Sequence, residues 1–224
     1  MCGRFTQITT PVRFAELANA RCEFLVFPPR YNILPGQKAL VCRIDPAGER
    51  EMALLRWPYT PPFEKQPKTR YSTINAKAET LTTSRLWRFP FQYFRCLIAA
   101  DGFYEPKDTG EKRKPQYYFR RRDGEPFFMA GLWGRWEPPE EEGGEAFDSC
   151  AIITTEANAA IGEVHPRMPV ILPPDAWAQW LDPAVTDSEQ LQALLGSAPD
   201  EGWEGYPVGY YTREDSPQVI ECQN

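Results

Sequence analysis

A chain of 224 residues is long enough to bury one substantial core, and its formal charge of −6 excludes a uniformly basic nucleic-acid coat protein. No run approaches the roughly 20 apolar residues of a membrane span, and arginine and glutamate interrupt the first twenty residues where a signal peptide would be apolar. One soluble, cytoplasmic domain over residues 1–224 is therefore expected, without a membrane partner.

In chain order, Pro11–Ala20 reads as the first helix, opened by proline at its first turn. Ala39–Ile44 and Met52–Trp57 read as a strand pair across the turn Asp45-Pro46-Ala47-Gly48. Ser84–Phe89 follows a Thr/Ser cap and reads as helix, and Arg95–Ala100 is a buried strand running into Asp101-Gly102. Tyr117–Arg122 and Phe127–Trp133 flank Asp123-Gly124, a step that suits a type I′ hairpin turn. Cys150–Thr154 is a further apolar strand, and Glu156–Val164, Pro173–Leu181 and Asp187–Leu195 read as short helices. The acidic stretch Glu137–Glu145 reads as a solvated loop. Without a strand–helix–strand rhythm or an internal repeat, the pattern predicts an α+β fold: a curved, mostly antiparallel sheet or barrel-like core with short peripheral helices.

Charge is unevenly distributed. Between Lys65 and Arg122 there are 14 Lys/Arg against 5 Asp/Glu, a local +9, which leaves −15 for the remaining chain. In that segment Trp87, Phe89, Phe91, Tyr93 and Phe94 interleave with Arg85, Arg88 and Arg95, a pattern that suits single-stranded nucleic acid or a core with a cationic rim. The six cysteines contain no C-x-x-C pair, and the single histidine, His165, excludes any metal site that needs two imidazoles. No metal and no cofactor is expected.

Four short segments carry candidate chemistry. In MCGRF, loss of Met1 would expose the amine and thiol of Cys2 on one residue, with reference pKa values of about 8 and 8.5. Such a terminus traps an aldehyde as an imine and then as a thiazolidine; it is equally a frayed end. Gly3 permits close backbone approach, and Arg4 offers a phosphate fork. In YSTINAKAET, Asn75 and Lys77 share a face if the segment is extended. Asn75 suits either a substrate contact or a turn cap, and Lys77 either a phosphate or solvent. In ADGFYEP, Glu105 sits among aromatics, which suits either a proton carrier or an edge-strand carboxylate. In EVHPRMPVIL, His165 suits proton transfer to a sugar oxygen or a structural bond, and Arg167 an anion.

Taken together, MCGRF, RYNILPGQ, STINAKAET, ADGFYEP and HPRMPV occur in the order and approximate spacing of the SRAP family, the SOS response-associated peptidase-like proteins that process abasic sites. The chain resembles that family over nearly its whole length. The resemblance implies covalent capture of an abasic deoxyribose in single-stranded DNA by the N-terminal cysteine, matched here by Cys2 after Met1 is removed. It implies catalytic roles for Asn75, Glu105 and His165 and DNA contacts at Arg4, Lys77, Arg85, Thr154 and Arg167, in a monomer. Two departures stand out: PPFEKQPKTR, residues 61–70, where relatives often carry tryptophans, and Pro106, where an aromatic commonly follows the glutamate. Two other functions also fit an N-terminal cysteine beside a basic segment: an N-terminal-nucleophile peptidase or amidohydrolase, and a non-catalytic reader of single-stranded DNA.

Overall fold

The structure, a computed structural model, describes residues 2–23, 27–69, 71–141 and 143–223. Met1, Arg70 at the end of the 61–70 segment and Glu142 of the acidic stretch lie outside them. The elements run β1 (Phe5–Gln7), α1 (Pro11–Ala18), β2 (Arg30–Ile33), β3 (Lys38–Ile44), β4 (Arg50–Arg56), β5 (Asn75–Lys77), α2 (Arg88–Tyr93), β6 (Arg95–Ala100), β7 (Gly102–Pro106) and β8 (Pro115–Arg121). They continue as β9 (Phe127–Trp136), β10 (Phe147–Glu156), α3 (Ala159–Gly162), β11 (Arg167–Pro169), α4 (Trp177–Leu181), α5 (Ser188–Gln192) and β12 (Trp203–Tyr210).

Two sheets form. One is five-stranded in the order β12-β8-β7-β1-β2; the other runs β11-β10-β4-β3-β6-β9 and curls until β9 also pairs with β10, while β5 adds to β10. Pairing is antiparallel except for β5 on β10 and a single bridge between Ser149 of β10 and Arg56 of β4. The curled sheet stops short of a closed barrel, and the α+β expectation is met.

The pleat sorts the side chains. Along β3, Ala39 and Val41 face the other sheet, joined there by Cys96, Ile98 and Ala100 of β6 and by Phe5, Phe103 and Phe119. Leu40, Cys42, Leu97 and Ala99 point the opposite way and pack beneath Phe14, Phe91, Trp177 and Trp180 of the helices. A sheet covered on both faces reads as an unbroken apolar run rather than an alternation, which is why β6 is apolar apart from its leading Arg95. Helix α1 is stopped by Asn19 in the left-handed region (φ 49°), and at its start the Thr10 side chain accepts the Arg13 N–H at 3.3 Å.

Three local expectations are corrected. Tyr117–Arg122 and Phe127–Trp133 do not form a hairpin: β8 pairs with β7 and β12, and β9 with β6 and β10. Asp123-Gly124 does turn the chain, with Gly124 at φ 74° and its N–H on Arg121 O at 3.1 Å. The next strand nevertheless crosses to the other sheet, because Arg122 N donates to Gly202 O at 2.8 Å and the edge beside β8 is already taken. The helix expected over Ser84–Phe89 begins at Arg88, after a run of turns, and the one expected over Glu156–Val164 shrinks to α3 because β10 stays paired as far as Glu156, opposite Arg167.

Candidate functional site

The site is assembled around the start of the chain. Strand β1 lies between β2 and β7 with Phe5 opposite Phe103 and Thr6 opposite Gly102, and Tyr104 N donates to Arg4 O at 3.0 Å. Continuing that register toward the terminus sets Glu105 beside the residues that follow Met1. Cys2 is buried at the edge of the core between the sheets, with its thiol 3.8 Å from Arg4 O. Burial pushes the thiol pKa up, and the charge of Glu105 adds to the effect. Glu105 itself is fully buried, and burial pushes its carboxyl up to about 7, so both protonation states are populated near neutral pH.

Two further segments converge there. Asn75 opens β5, which lies parallel to β10 with Asn75 opposite Ile152 and Lys77 opposite Thr154. Its Nδ2 donates to Cys2 O at 3.1 Å, while its Oδ1 is buried and meets no hydrogen-bond partner among the described residues. His165 closes the turn after α3, its N–H on Ile161 O at 3.0 Å, and Asn158 caps that helix through Ile161 N at 3.0 Å. The imidazole Nδ1 lies 3.7 Å from Glu105 Oε2 and accepts the Arg167 N–H at 3.1 Å. The same Nδ1 lies 3.0 Å from Arg167 O, so it accepts from Arg167 N in one neutral tautomer and donates to Arg167 O in the other, and burial lowers the pKa of the ring. Cys2, Asn75, Glu105 and His165, drawn from four distant segments, thus share one locus.

The basic residues differ in what they do. Arg167 makes a two-pronged ion pair with Glu79, Nη1 to Oε1 at 2.6 Å and Nη2 to Oε2 at 3.0 Å, and its Nη2 also donates to Thr154 O at 2.7 Å. That pair holds the Glu79 carboxyl below its usual range. Lys77 is exposed on β5, next to buried Thr154 on β10. Arg85 is exposed in the run of turns before α2, and no hydrogen bond among the described residues ties it to the other site residues. Arg4 is buried, with its guanidinium over the ring of Tyr104 at 4.1 Å and that of Tyr211 at 5.1 Å, and its Nε on Asn32 Oδ1 at 2.9 Å.

Sequence reasoning assigned no part to Glu79, Asn32 or Tyr211. Glu79 reaches Arg167 across 88 positions, a pairing with no local signature. One cavity, of 810 Å³ and lined by Phe127, Leu172, Trp177 and Trp203 among others, includes none of the site residues.

Residues 1–212 match the sequence family described as SOS response associated peptidase (SRAP). The chain is 37% identical over 227 residues to the abasic site processing protein YoqW of Bacillus subtilis, an alignment that covers 99% of each chain. It is 32% identical to the abasic site processing protein YedK of Escherichia coli, over 93% of this chain and 92% of that one. A solved structure of a Bacteroides thetaiotaomicron protein superposes with a TM-score of 0.86 over 100% of both chains at 20% identity, a likeness of fold.

Proposed function

The chain belongs to the SRAP family, and from that premise we propose that it processes abasic sites in DNA by capturing the abasic sugar covalently on Cys2. The observation that carries this reading is the hydrogen bond from Asn75 Nδ2 to Cys2 O, 3.1 Å long, which fixes residue 2 beside a buried carboxyl with a pKa of about 7.

Each residue then has a step. Removal of Met1 frees the Cys2 amine. An abasic deoxyribose rests mainly as a closed hemiacetal, and Glu105 moves the proton that opens it to the C1′ aldehyde. The amine attacks C1′, water leaves with a proton supplied by Glu105, and an imine forms. The thiol sulfur adds to the imine carbon as its proton passes to the ring nitrogen, closing a five-membered thiazolidine. With its thiol pKa held high by burial, Cys2 enters this step as a thiol, and Glu105, left ionised by the loss of water, takes that proton and relays it to the nitrogen. Asn75 Oδ1, buried without a partner, accepts a hydrogen bond from the captured sugar or the terminal nitrogen. His165 holds the hydroxyl released by ring opening. The imine also permits β-elimination of the 3′ phosphate, so strand cleavage competes with ring closure. Arg4, Lys77, Arg85 and Arg167 meet backbone phosphates of single-stranded DNA, Arg167 by exchanging Glu79 for a phosphate, and Thr154 O orients Arg167. A monomer suffices for all of these contacts.

The test is a denaturing gel of the protein with single-stranded DNA that carries one abasic site. A heat-stable shifted band is expected from protein whose intact mass shows Met1 removed, and Cys2→Ala should abolish it. A band of equal strength from Cys2→Ala would end this reading, because capture would then run through another nucleophile, and the lack of a band from either protein would leave a non-covalent reader.

A further inference from the structure

Arg4 is held in an unusual setting. It is a buried cation, 5% exposed, close to the rings of Tyr104 and Tyr211; among the described residues no carboxylate pairs with it, and its Nη1 is buried without a hydrogen-bond partner. A desolvated guanidinium with an unused donor is a receptor waiting for an anion. What fixes its orientation comes from the far end of the chain. Asn32, which accepts Arg4 Nε at 2.9 Å, is itself held through Nδ2 by Thr212 O at 3.1 Å and Glu214 O at 2.5 Å. Asp215 clamps the same strand: one oxygen takes Tyr31 N at 2.6 Å and Asn32 N at 3.0 Å, the other Arg30 Nε at 2.6 Å. Tyr104, the ring nearer to the Arg4 guanidinium, is tied to this strand as well, its hydroxyl donating to Tyr31 O at 2.6 Å.

We propose that the tail segment Tyr211–Asp215 is a latch that, acting through Asn32 and the Tyr211 ring, positions the Arg4 guanidinium to receive one phosphate of the DNA backbone. The inference rests on the reading of Arg4 as a phosphate contact and adds its positioning residues. The latch has a structural duty too, because β2 is an edge strand and Asp215 covers two of its N–H groups. The preorganising role goes further. A guanidinium already stripped of water and held in plane loses little freedom when a phosphate arrives, so the contact yields more net affinity than a mobile surface arginine would.

The two roles separate in the salt dependence of binding. On a single strand each phosphate contact contributes about 0.7 to the slope of log K against log salt. Asp215→Ala, and Tyr211→Leu, which spares the tail's backbone bonds, should each lower that slope by about 0.7. Each should also weaken DNA binding by about tenfold, the size of one charge-assisted hydrogen bond. In covalent capture the half-saturating DNA concentration should rise while the rate at saturation holds. Arg4→Met should show the same loss of slope, and adding Asp215→Ala to it should cost no further slope. A change in thermal midpoint with a wild-type slope in both tail variants would overturn the latch and leave the tail purely structural. An unchanged slope in Arg4→Met would overturn the phosphate reading of Arg4 and the latch together.

Discussion

The setting of Glu105 bears on stability as well as on the proposed chemistry. Its carboxyl is fully buried, and burial raises its pKa to about 7 from an ordinary 4.5. The folded state therefore binds this proton more tightly than the unfolded chain does. Between about pH 4.5 and pH 7 the native protein holds more protons at this position, so stability falls as pH rises through that window and levels off above it. A shift of this size corresponds to a loss on the order of 3 kcal/mol. Glu105→Gln keeps the shape and removes the charge, so it should melt close to wild type at pH 4.5 and several degrees higher at pH 8. Parallel melting curves for the two proteins across that range would refute the assignment. The same variant should capture abasic DNA roughly 10²-fold or more slowly at pH 7, as the loss of a general acid–base group requires. Under the proposed mechanism, stability given up at the site is what keeps a proton within reach of the terminal amine.

At the scale of elements, β7 decides where Glu105 ends up, and Gly102 decides how β7 can lie. A Cβ on Gly102 would sit 2.3 Å from Tyr118 Cζ and Oη. Tyr118 has no room to yield: it is 1% exposed, packs on Tyr104 at 4.9 Å between ring centroids, and shares a hydrogen bond with Thr6 Oγ1 at 2.9 Å. Gly102→Ala should cost about 1–3 kcal/mol in a urea or thermal melt, the range for overpacking, and slow capture by shifting β7. A melt within 0.5 kcal/mol of wild type would show that Tyr118 moves aside freely. Elements were legible in the sequence wherever local rules decide them. The β3–β4 pair forms across its Asp45–Gly48 turn as expected, with Ile44 opposite Arg50, and α1 begins at its proline. Local rules failed where a distant partner decided the outcome. The Asp123-Gly124 step carries the right turn chemistry, yet β8 takes its second partner from β12, some eighty residues on. The candidate site divides the same way. Residue types at Cys2, Asn75, Glu105 and His165 marked the segments, but only the pairing of β1 with β7 and of β5 with β10 brings them together. Asn32 and Glu79 lie within the RYNILPGQ and STINAKAET segments, but partners 28 and 88 positions away decide what they do, and those pairings have no local signature.

For the molecule as a whole, the question is how much of the basic segment acts on DNA. Counted along the chain, residues 65–122 hold 14 cations; in space that set comes apart. Arg95 is a buried structural cation whose guanidinium donates to the carbonyls of Phe91, Trp180, Asp182 and Val185, pinning α2 and α4 to β6. Burial lowers its pKa to about 10, and its charge never reaches a ligand. Arg120 is paired with Glu204, Arg121 with Asp123 and Lys114 with Asp108. The cations that line the proposed DNA path are instead Arg4, Lys77, Arg85 and Arg167, two of which lie outside that segment. Four phosphate contacts on a single strand give a salt slope of about −3, whereas the whole segment acting together would give about −10. The Cys2→Ala protein separates binding from capture, so titrating it with undamaged single-stranded DNA between about 50 and 300 mM salt reads the slope directly. A slope near −3 fits a few placed contacts around a covalent site, and the affinity of such a protein for intact DNA stays low at physiological salt. That outcome leaves selection of the lesion to the aldehyde chemistry at Cys2, with the backbone contacts serving to hold the strand in register. A slope near −10 would mean that the basic segment binds as a continuous surface, and the ion pairs of Arg120, Arg121 and Lys114 would then have to open on binding.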